Sequence, residues 1–158
     1  MSKPILHYWK GRGRAETIRM MLTAAGVEWE NGPYMKQPSD MEKLKSDGLL
    51  YFGQLPLLQW NGMNMTQTMA VVRYIAHKYN LGGKTIEEAF KIDMLAEGTR
   101  DFLTPFFGLK FLPQEAFMKG VNTAVDRYLP IYNKELTTST SGFLVGDCLS
   151  MADVCLFE

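Results

Sequence analysis

The residues with the most definite chemistry lie between Tyr51 and Thr68, in the run Tyr-Phe-Gly-Gln-Leu-Pro-Leu-Leu-Gln-Trp-Asn-Gly-Met-Asn-Met-Thr-Gln-Thr. Leu55 precedes Pro56, which biases it toward extended backbone, and an X-Pro bond is the one kind of peptide bond that turns cis at low cost. Leu55 can therefore offer its N–H and C=O, beside Gln54, to an extended ligand that pairs as an extra strand. Asn61-Gly62 between two short apolar runs is a two-residue hairpin signal, and the turn aims the next helix so that its first N–H groups point back beside Pro56. Gln67 and Thr68 stand at that helix start, where the unpaired amides and the helix dipole favour a carboxylate. The layout suits a small anionic peptide. An edge hairpin capped by Thr66 explains the same residues by local physics alone.

The N-terminus supplies a second group. Ile5-Leu-His-Tyr-Trp9 reads as a short buried strand, then Lys10-Gly-Arg-Gly-Arg14, then an amphipathic helix with Ile18, Met21, Leu22 and Ala25 on one stripe. Tyr8 thus falls at a strand end beside a helix start. Leu-His-Tyr followed by Gly-Arg-Gly-Arg, Ala-Ala-Gly-Val-Glu at 24–28, Gln-Thr at 67–68 and Lys-Tyr-Asn-Leu at 78–81 together resemble the cytosolic glutathione S-transferases, with wording closest to the alpha class. The resemblance runs to Glu158.

That resemblance implies a dimeric enzyme that adds the thiolate of glutathione to hydrophobic electrophiles, with glutathione as co-substrate and no metal. A free thiol has a pKa of about 8.5, and each unit of depression takes roughly 1.4 kcal/mol of selective anion stabilisation. Tyr8, a neutral phenol, can donate to the sulfur anion, and Arg14 is the implied nearby cation. Gln54, Leu55 and Pro56 match the positions that hold the cysteinyl part, and Gln67 and Thr68 those that receive the γ-glutamyl carboxylate. Lys45 stands where the alpha class often has an arginine near the glycine carboxylate, keeping the charge without bidentate geometry. Asp101 and Arg127 match residues that reach the glutamyl end from the partner subunit. Phe52 matches the aromatic key of the dimer, and Trp9, Gly11, Phe106, Phe107 and Leu109 are candidates for the hydrophobic substrate site. Read without the resemblance, Tyr8 is a strand tyrosine bonded to a carbonyl, and Asp101 and Arg127 are helix-surface charges. Thioredoxin-like redox chemistry is excluded, because no cysteine lies between Trp9 and Arg14. Two alternatives stand beside the transferase: an inert binding or structural remnant, if the helices that family members carry past this point are missing, and a glutathione-dependent isomerase or peroxidase using the same site.

These residues need a scaffold. The chain reads as an α/β thioredoxin-like N-terminal domain, 1–80, in the order βαβαββα, and an incomplete all-α C-terminal domain, 84–158. The elements of the first part are strand 5–9, a helix, strand 29–34, a short helix opened by a Ser39-to-Glu42 capping box and ended by Asp47-Gly48, the hairpin, and helix 67–79. Asn80 to Lys84 reads as a linker. Thr85 and Glu88 box the start of a helix that runs from about Ile86 to Lys110 and bends or breaks at Pro105, followed by a helix over 114–136 interrupted near Pro130. Residues 137–142 form a loop, and Ser150 and Asp153 cap a last helix.

Composition agrees. The 158 residues are 46% hydrophobic and 12% aromatic, enough for a packed core. The N-terminal stretch lacks an apolar signal region and no apolar run approaches a membrane span, so a cytoplasmic protein without a membrane partner is expected. Cys148 and Cys155 read as buried apolar fillers. Residues 1–80 carry ten Lys/Arg against six Asp/Glu, and 81–158 carry seven against eleven. The basic half suits an anionic ligand, whereas one Arg-Gly repeat on a chain of zero net charge gives no footing for nucleic acid.

Overall fold

The computed structural model describes residues 2–33 and 35–158, with the side chains of Leu109 and Lys110 outside the description. The chain divides into two compact units, one ending at Tyr79 and the other beginning at Asn80.

The first unit holds β1 (Ile5–His7), α1 (Glu16–Ala24), β2 (Glu30–Asn31), α2 (Pro38–Ser46), β3 (Leu57–Trp60), β4 (Met63–Thr66) and α3 (Thr68–Lys78). This is the thioredoxin-like βαβαββα order. The four strands form one mixed sheet in the order β2-β1-β3-β4, with β1 and β2 parallel and the other pairs antiparallel. Leu6, Ile18, Met21, Leu22, Leu57, Leu58, Val71, Val72 and Ile75 are all fully buried. At about 1.5–3 kcal/mol for each large apolar side chain removed from water, this cluster holds α1 and α3 to the sheet. The hairpin turns at Asn61 (φ 49°) and Gly62 (φ 77°), with Trp60 opposite Met63. Both positive φ values are what a type I′ turn demands, so the Asn-Gly pair sets the register. Trp60 is itself buried, stacked on Tyr79 at 6.1 Å and edge-on to Tyr74, with the Lys78 ammonium 4.2 Å from its ring centre. These contacts fasten the C-terminal end of α3 to the hairpin.

Four expectations for this unit need correcting. The strand expected over 5–9 ends at His7, with Trp9 only in an isolated bridge to Met35. α2 starts at Pro38, with Gln37 as N-cap, and its box is closed by Asp40, which accepts the Lys36 and Gln37 N–H groups at 2.8 and 3.0 Å, in place of the Ser39-to-Glu42 box. Proline at the first helical position loses no hydrogen bond and already has a helical φ, which moves the start two residues earlier. The strand expected over 29–34 is paired only at Glu30–Asn31, with a separate bridge between Trp9 and Met35, and Tyr34 lies outside the described residues. Helix 67–79 is shorter at both ends, because Gln67 has φ 69° and stays outside α3.

The second unit is helical: α4 (Ile86–Leu103), a 3-10 segment (Thr104–Lys110), α5 (Gln114–Thr138) and α6 (Met151–Phe157). The Thr85 hydroxyl accepts the Glu88 N–H at 3.2 Å, and α4 gives way to the 3-10 segment where Pro105 enters. α5, however, runs unbroken through Pro130. Pro130 is exposed, so the carbonyl one turn back can turn to water, while two residues on Tyr132 is buried and anchors the helix. Its hydroxyl donates to the Leu95 carbonyl at 2.7 Å and accepts from Thr99 at 2.9 Å. Burial pushes the Tyr132 phenol up from its ordinary value, which keeps it a neutral donor. α6 opens on Ser150, whose N–H and hydroxyl donate to Asp153 at 2.9 and 2.7 Å. Cys155 is buried on α6, but Cys148 is exposed, contrary to the expectation of two buried thiols. It lies in the turn before α6, where no helix face carries it inward. Among the described residues no helix is long and apolar enough to cross a membrane.

Candidate functional site

Tyr8 follows the last residue of β1, and its phenol oxygen accepts the main-chain N–H of Arg14 at 3.1 Å. The approach depends on Gly13, which has φ 43° and whose absent Cβ would lie 2.6 Å from that oxygen. A phenol has one hydrogen and spare lone pairs. With a lone pair taken by Arg14, its proton remains for an acceptor such as a sulfur anion.

The loop between Tyr8 and α1 is held by residues that pattern reading overlooked. Arg19 donates to the carbonyls of Gly11 and Arg12 at 3.1 and 3.4 Å and pairs with Glu16 at 2.7 Å, while the Arg12 guanidinium lies 3.4 Å from the same carboxylate. The side chains of Arg19 and Glu16 are only 14% and 19% exposed, so this pair is screened less than a surface pair. Its signal in the sequence was the i, i+3 spacing of Glu16 and Arg19 just after a glycine-containing loop. At the end of β1, beside Tyr8 in sequence, the His7 ring meets Gln59 at 2.8 Å and Gln59 donates to Asn64 at 2.9 Å, a polar ladder across three strands. Gly13→Ala is expected to push the Tyr8 ring aside: turnover should fall about tenfold or more with the fold retained, read by steady-state kinetics beside circular dichroism. Wild-type turnover would show that the Gly13 contact does not set Tyr8.

The other end of the site is the start of α3. Gln67 has φ 69° and ψ 102°, a conformation that costs a non-glycine residue about 1–3 kcal/mol and turns the chain sharply into the helix. The first amides of α3 therefore face out of its N-terminus without intrahelical acceptors. The Gln67 side chain is exposed; Thr68 is buried, and its hydroxyl donates to the Arg14 carbonyl at 3.0 Å. The Arg14 main chain thus touches Tyr8 on one side and Thr68 on the other, and its side chain is exposed.

The third candidate part is the 51–56 segment. Leu55–Pro56 is a cis bond, Gln54 is exposed, and Leu55 precedes β3, outside the ladder. The Lys45 stem lies beside Gly53, whose missing Cβ would sit 3.5 Å from Lys45 Cε, and its ammonium pairs with Glu42 at 2.6 Å. Phe52, 59% exposed, packs edge-on against Tyr51 at 4.9 Å. Trp9 is half-buried and Gly11 exposed.

On the second unit, Asp101 on α4 and Arg127 on α5 are exposed, with the Arg127 guanidinium over the Tyr128 ring at 5.2 Å. Phe106 and Phe107 are partly exposed, Phe106 packing edge-on against Phe102 at 5.4 Å. The Leu109 side chain lies outside the described residues.

With this geometry in view, the comparisons with known proteins are specific. The family model of the glutathione S-transferase N-terminal domain matches residues 4–77, and that of the glutathione S-transferase C-terminal domain matches 99–158. Glutathione S-transferase alpha-4 of Rattus norvegicus is 45% identical over 160 residues, a span that takes in 99% of this chain and 72% of the relative. The crystal structure of the glutathione S-transferase from Ascaris lumbricoides superposes with a TM-score of 0.81 at 32% identity, over 98% of this chain and 78% of that one. The structure of monomeric Na-GST-3 from Necator americanus does so with a TM-score of 0.82 at 30% identity, over 98% and 77%.

Proposed function

The chain belongs to the glutathione S-transferase family, with alpha-class relatives, and on that premise we propose that it conjugates the thiolate of glutathione to hydrophobic electrophiles with Tyr8 as the thiol activator. The observation that carries this reading is the Arg14 N–H held 3.1 Å from the Tyr8 oxygen, which leaves the phenol proton for the sulfur. In the reaction the thiol gives up its proton to solvent and the thiolate, held by the Tyr8 O–H and facing the Arg14 guanidinium, attacks an electrophilic carbon. A carbon–sulfur bond forms, and the electron pair leaves with a halide or rests on a conjugated acceptor. Lowering the thiol pKa by about two units, worth roughly 2.7 kcal/mol, brings most of the glutathione to its thiolate near neutral pH.

The peptide itself spans the first unit. Leu55 pairs its main chain with the cysteinyl residue beside Gln54, with Pro56 setting the bend, and Lys45 attracts the glycine carboxylate. The open amides at Gln67 and Thr68 receive the γ-glutamyl carboxylate. Asp101 and Arg127 of a second copy complete that end in a homodimer locked by Phe52. For the electrophile, family resemblance suggests Trp9 and Gly11 on the first unit and Phe106 and Phe107 on the second as separate candidates, and the setting is cytoplasmic detoxification.

The test is conjugation of glutathione to a chromogenic aryl halide by the purified protein. Product formation saturable in glutathione is expected, and its absence at high enzyme concentration would overturn the reading. In the same assay Gln67→Ala should raise the KM for glutathione about tenfold while changing kcat less, because it alters binding at the carboxylate end and not the thiol. Unaltered KM would leave Gln67 as an N-cap alone.

A further inference from the structure

We propose that the second unit carries a binding site of its own for a small amphipathic cation, a primary ammonium on an apolar body. The site is the cavity between residues 80–88 and the turn before α6, with Glu88 as the anionic contact. It shares no residue with the thiol-activation reading and goes beyond it.

Both walls of the cavity belong to the unit that begins at Asn80. They enclose about 540 Å³, within the range of small-molecule sites, and bonds between residues far apart in sequence pin them together. The Met151 N–H donates to the Leu81 carbonyl at 2.8 Å, and the Lys84 ammonium meets Asp147 at 2.6 Å. On the far side Asp153 accepts the Leu144 N–H at 2.8 Å and so fixes the chain leading into Val145. Ile92 and Val145 line the cavity and are buried, which gives it an apolar floor. The charges around that floor decide the sign of the ligand. Lys84 and Asp147 engage each other: their contact pushes the Lys84 ammonium up from its ordinary value and holds the Asp147 carboxyl below its own, so both stay charged and cancel. That leaves Glu88. Its Oε2 accepts the Lys84 N–H at 2.6 Å while its own N–H goes to Thr85, which closes the cap of α4. Its Oε1 lies toward Gly146, where a Cβ would come within 3.5 Å of it, and the glycine keeps that approach clear. An anion would have to displace Asp147 from Lys84 and then face Glu88. An ammonium has three N–H groups to give and meets an acceptor already in place, in a charge-assisted bond. Glu88 is half-buried, so this pairing is screened less than one on open surface.

The probe is n-hexylammonium, titrated into the full chain by calorimetry, with hexanoate as the same apolar body of opposite charge. Hexylammonium is expected to bind saturably with a Kd on the order of 1 mM, as suits a ligand of few atoms, and hexanoate at least about tenfold more weakly. Glu88→Gln removes the charge and keeps the cap, because glutamine closes the same box as glutamate. It should weaken hexylammonium binding about tenfold with an unchanged circular dichroism spectrum. Location is read at Cys148, an exposed thiol on the wall of the cavity, whereas Cys155 is buried. At saturation hexylammonium should slow alkylation of Cys148 by iodoacetamide about threefold or more, since a thiol reacts only where reagent reaches it. Asp147→Asn, at an exposed position, frees the Lys84 ammonium and should strengthen hexanoate binding about tenfold while weakening that of hexylammonium. The proposal is overturned if hexylammonium does not saturate, if hexanoate binds as tightly, if Glu88→Gln leaves the affinity unchanged, or if Cys148 reacts at its free rate with the probe bound. It is overturned equally if Asp147→Asn leaves both probes at their wild-type affinities, and that comparison decides alone should Glu88→Gln fail to fold. No readout depends on conjugation, so the site and the Tyr8 reading stand or fall separately.

Discussion

Replacing Tyr8 by phenylalanine is expected to lower turnover by on the order of ten- to a thousandfold while leaving the fold and the affinity for glutathione nearly intact. The ring follows β1 and lies beside Gly13, whose missing Cβ leaves room for phenylalanine as for tyrosine, so the fold does not depend on the hydroxyl. What is lost is one hydroxyl whose oxygen accepts the Arg14 N–H at 3.1 Å and whose hydrogen is free for the sulfur. Removing a single preorganised donor from a developing or stabilised anion costs about 2.7–4 kcal/mol where water is excluded, and less where it enters; Tyr8 is half-buried, which sets the wide range. Binding survives because the peptide's two carboxylates and main chain are proposed to be held elsewhere. The check is steady-state conjugation beside a calorimetric isotherm for glutathione. Turnover equal to wild type would remove Tyr8 from the mechanism, and a loss confined to KM would make it a ligand and not an activator.

The second large effect concerns assembly. Phe52 is 59% exposed in the loop just before Gln54, and its ring touches Tyr51, which is 85% exposed. On the second unit, Ile86, Phe90 and Met94 are 78%, 69% and 52% exposed at i, i+4 and i+8, a single apolar stripe along α4. In the homodimer proposed above, each copy would give its Phe52 ring to the partner and receive one in return. Phe52→Ala is therefore expected to shift the protein toward monomer, by about 2 kcal/mol or roughly thirtyfold in the dimer dissociation constant, as for a central aromatic anchor. Glutathione binding should weaken with it, because the docked ring orders the loop that carries Gln54 and Leu55. Asp101→Ala should weaken binding and leave the dimer intact. Sedimentation of both variants, each paired with a binding isotherm, checks this. The alternative is a real one, since the Necator americanus structure with the same fold is monomeric. A Phe52→Ala dimer of normal affinity would show that the ring is not the key, and would leave Asp101 and Arg127 as surface charges.

Short-range chemistry made much of the fold legible. Asn61-Gly62 sets a hairpin because two adjacent residues must take positive φ, and Thr85 with Glu88 opens α4 because a hydroxyl reaches an amide three residues on. The apolar stripe of α1 was readable for the same reason: the period of a helix is a local property. Where two local signals competed, or a local signal met distant packing, the sequence misled. The Gln37-to-Asp40 and Ser39-to-Glu42 spacings are both boxes on paper, and Pro38 decides for the first. Pro130 carries a break signal that the buried Tyr132 anchor overrides, and Cys148 looks apolar but lies in an exposed turn.

At the site, the sequence by itself determined the chemical parts: a phenol at a strand end, an X-Pro bend, and a helix start suited to an anion. Residue type and immediate neighbours are enough for those. Only the tertiary structure decided how the parts touch, because the deciding contacts join residues far apart in the chain. Nothing near Thr68 in sequence names a partner for its hydroxyl; the packing of α3 against the turn before α1 brings the Arg14 carbonyl within 3.0 Å of it. His7 finds Gln59 in the same way, 52 residues on, through strand register and not through any local pattern. Hydrogen-bond partners are fixed by distances of about 3 Å, and distances of that size between remote residues exist only once the core has folded around them.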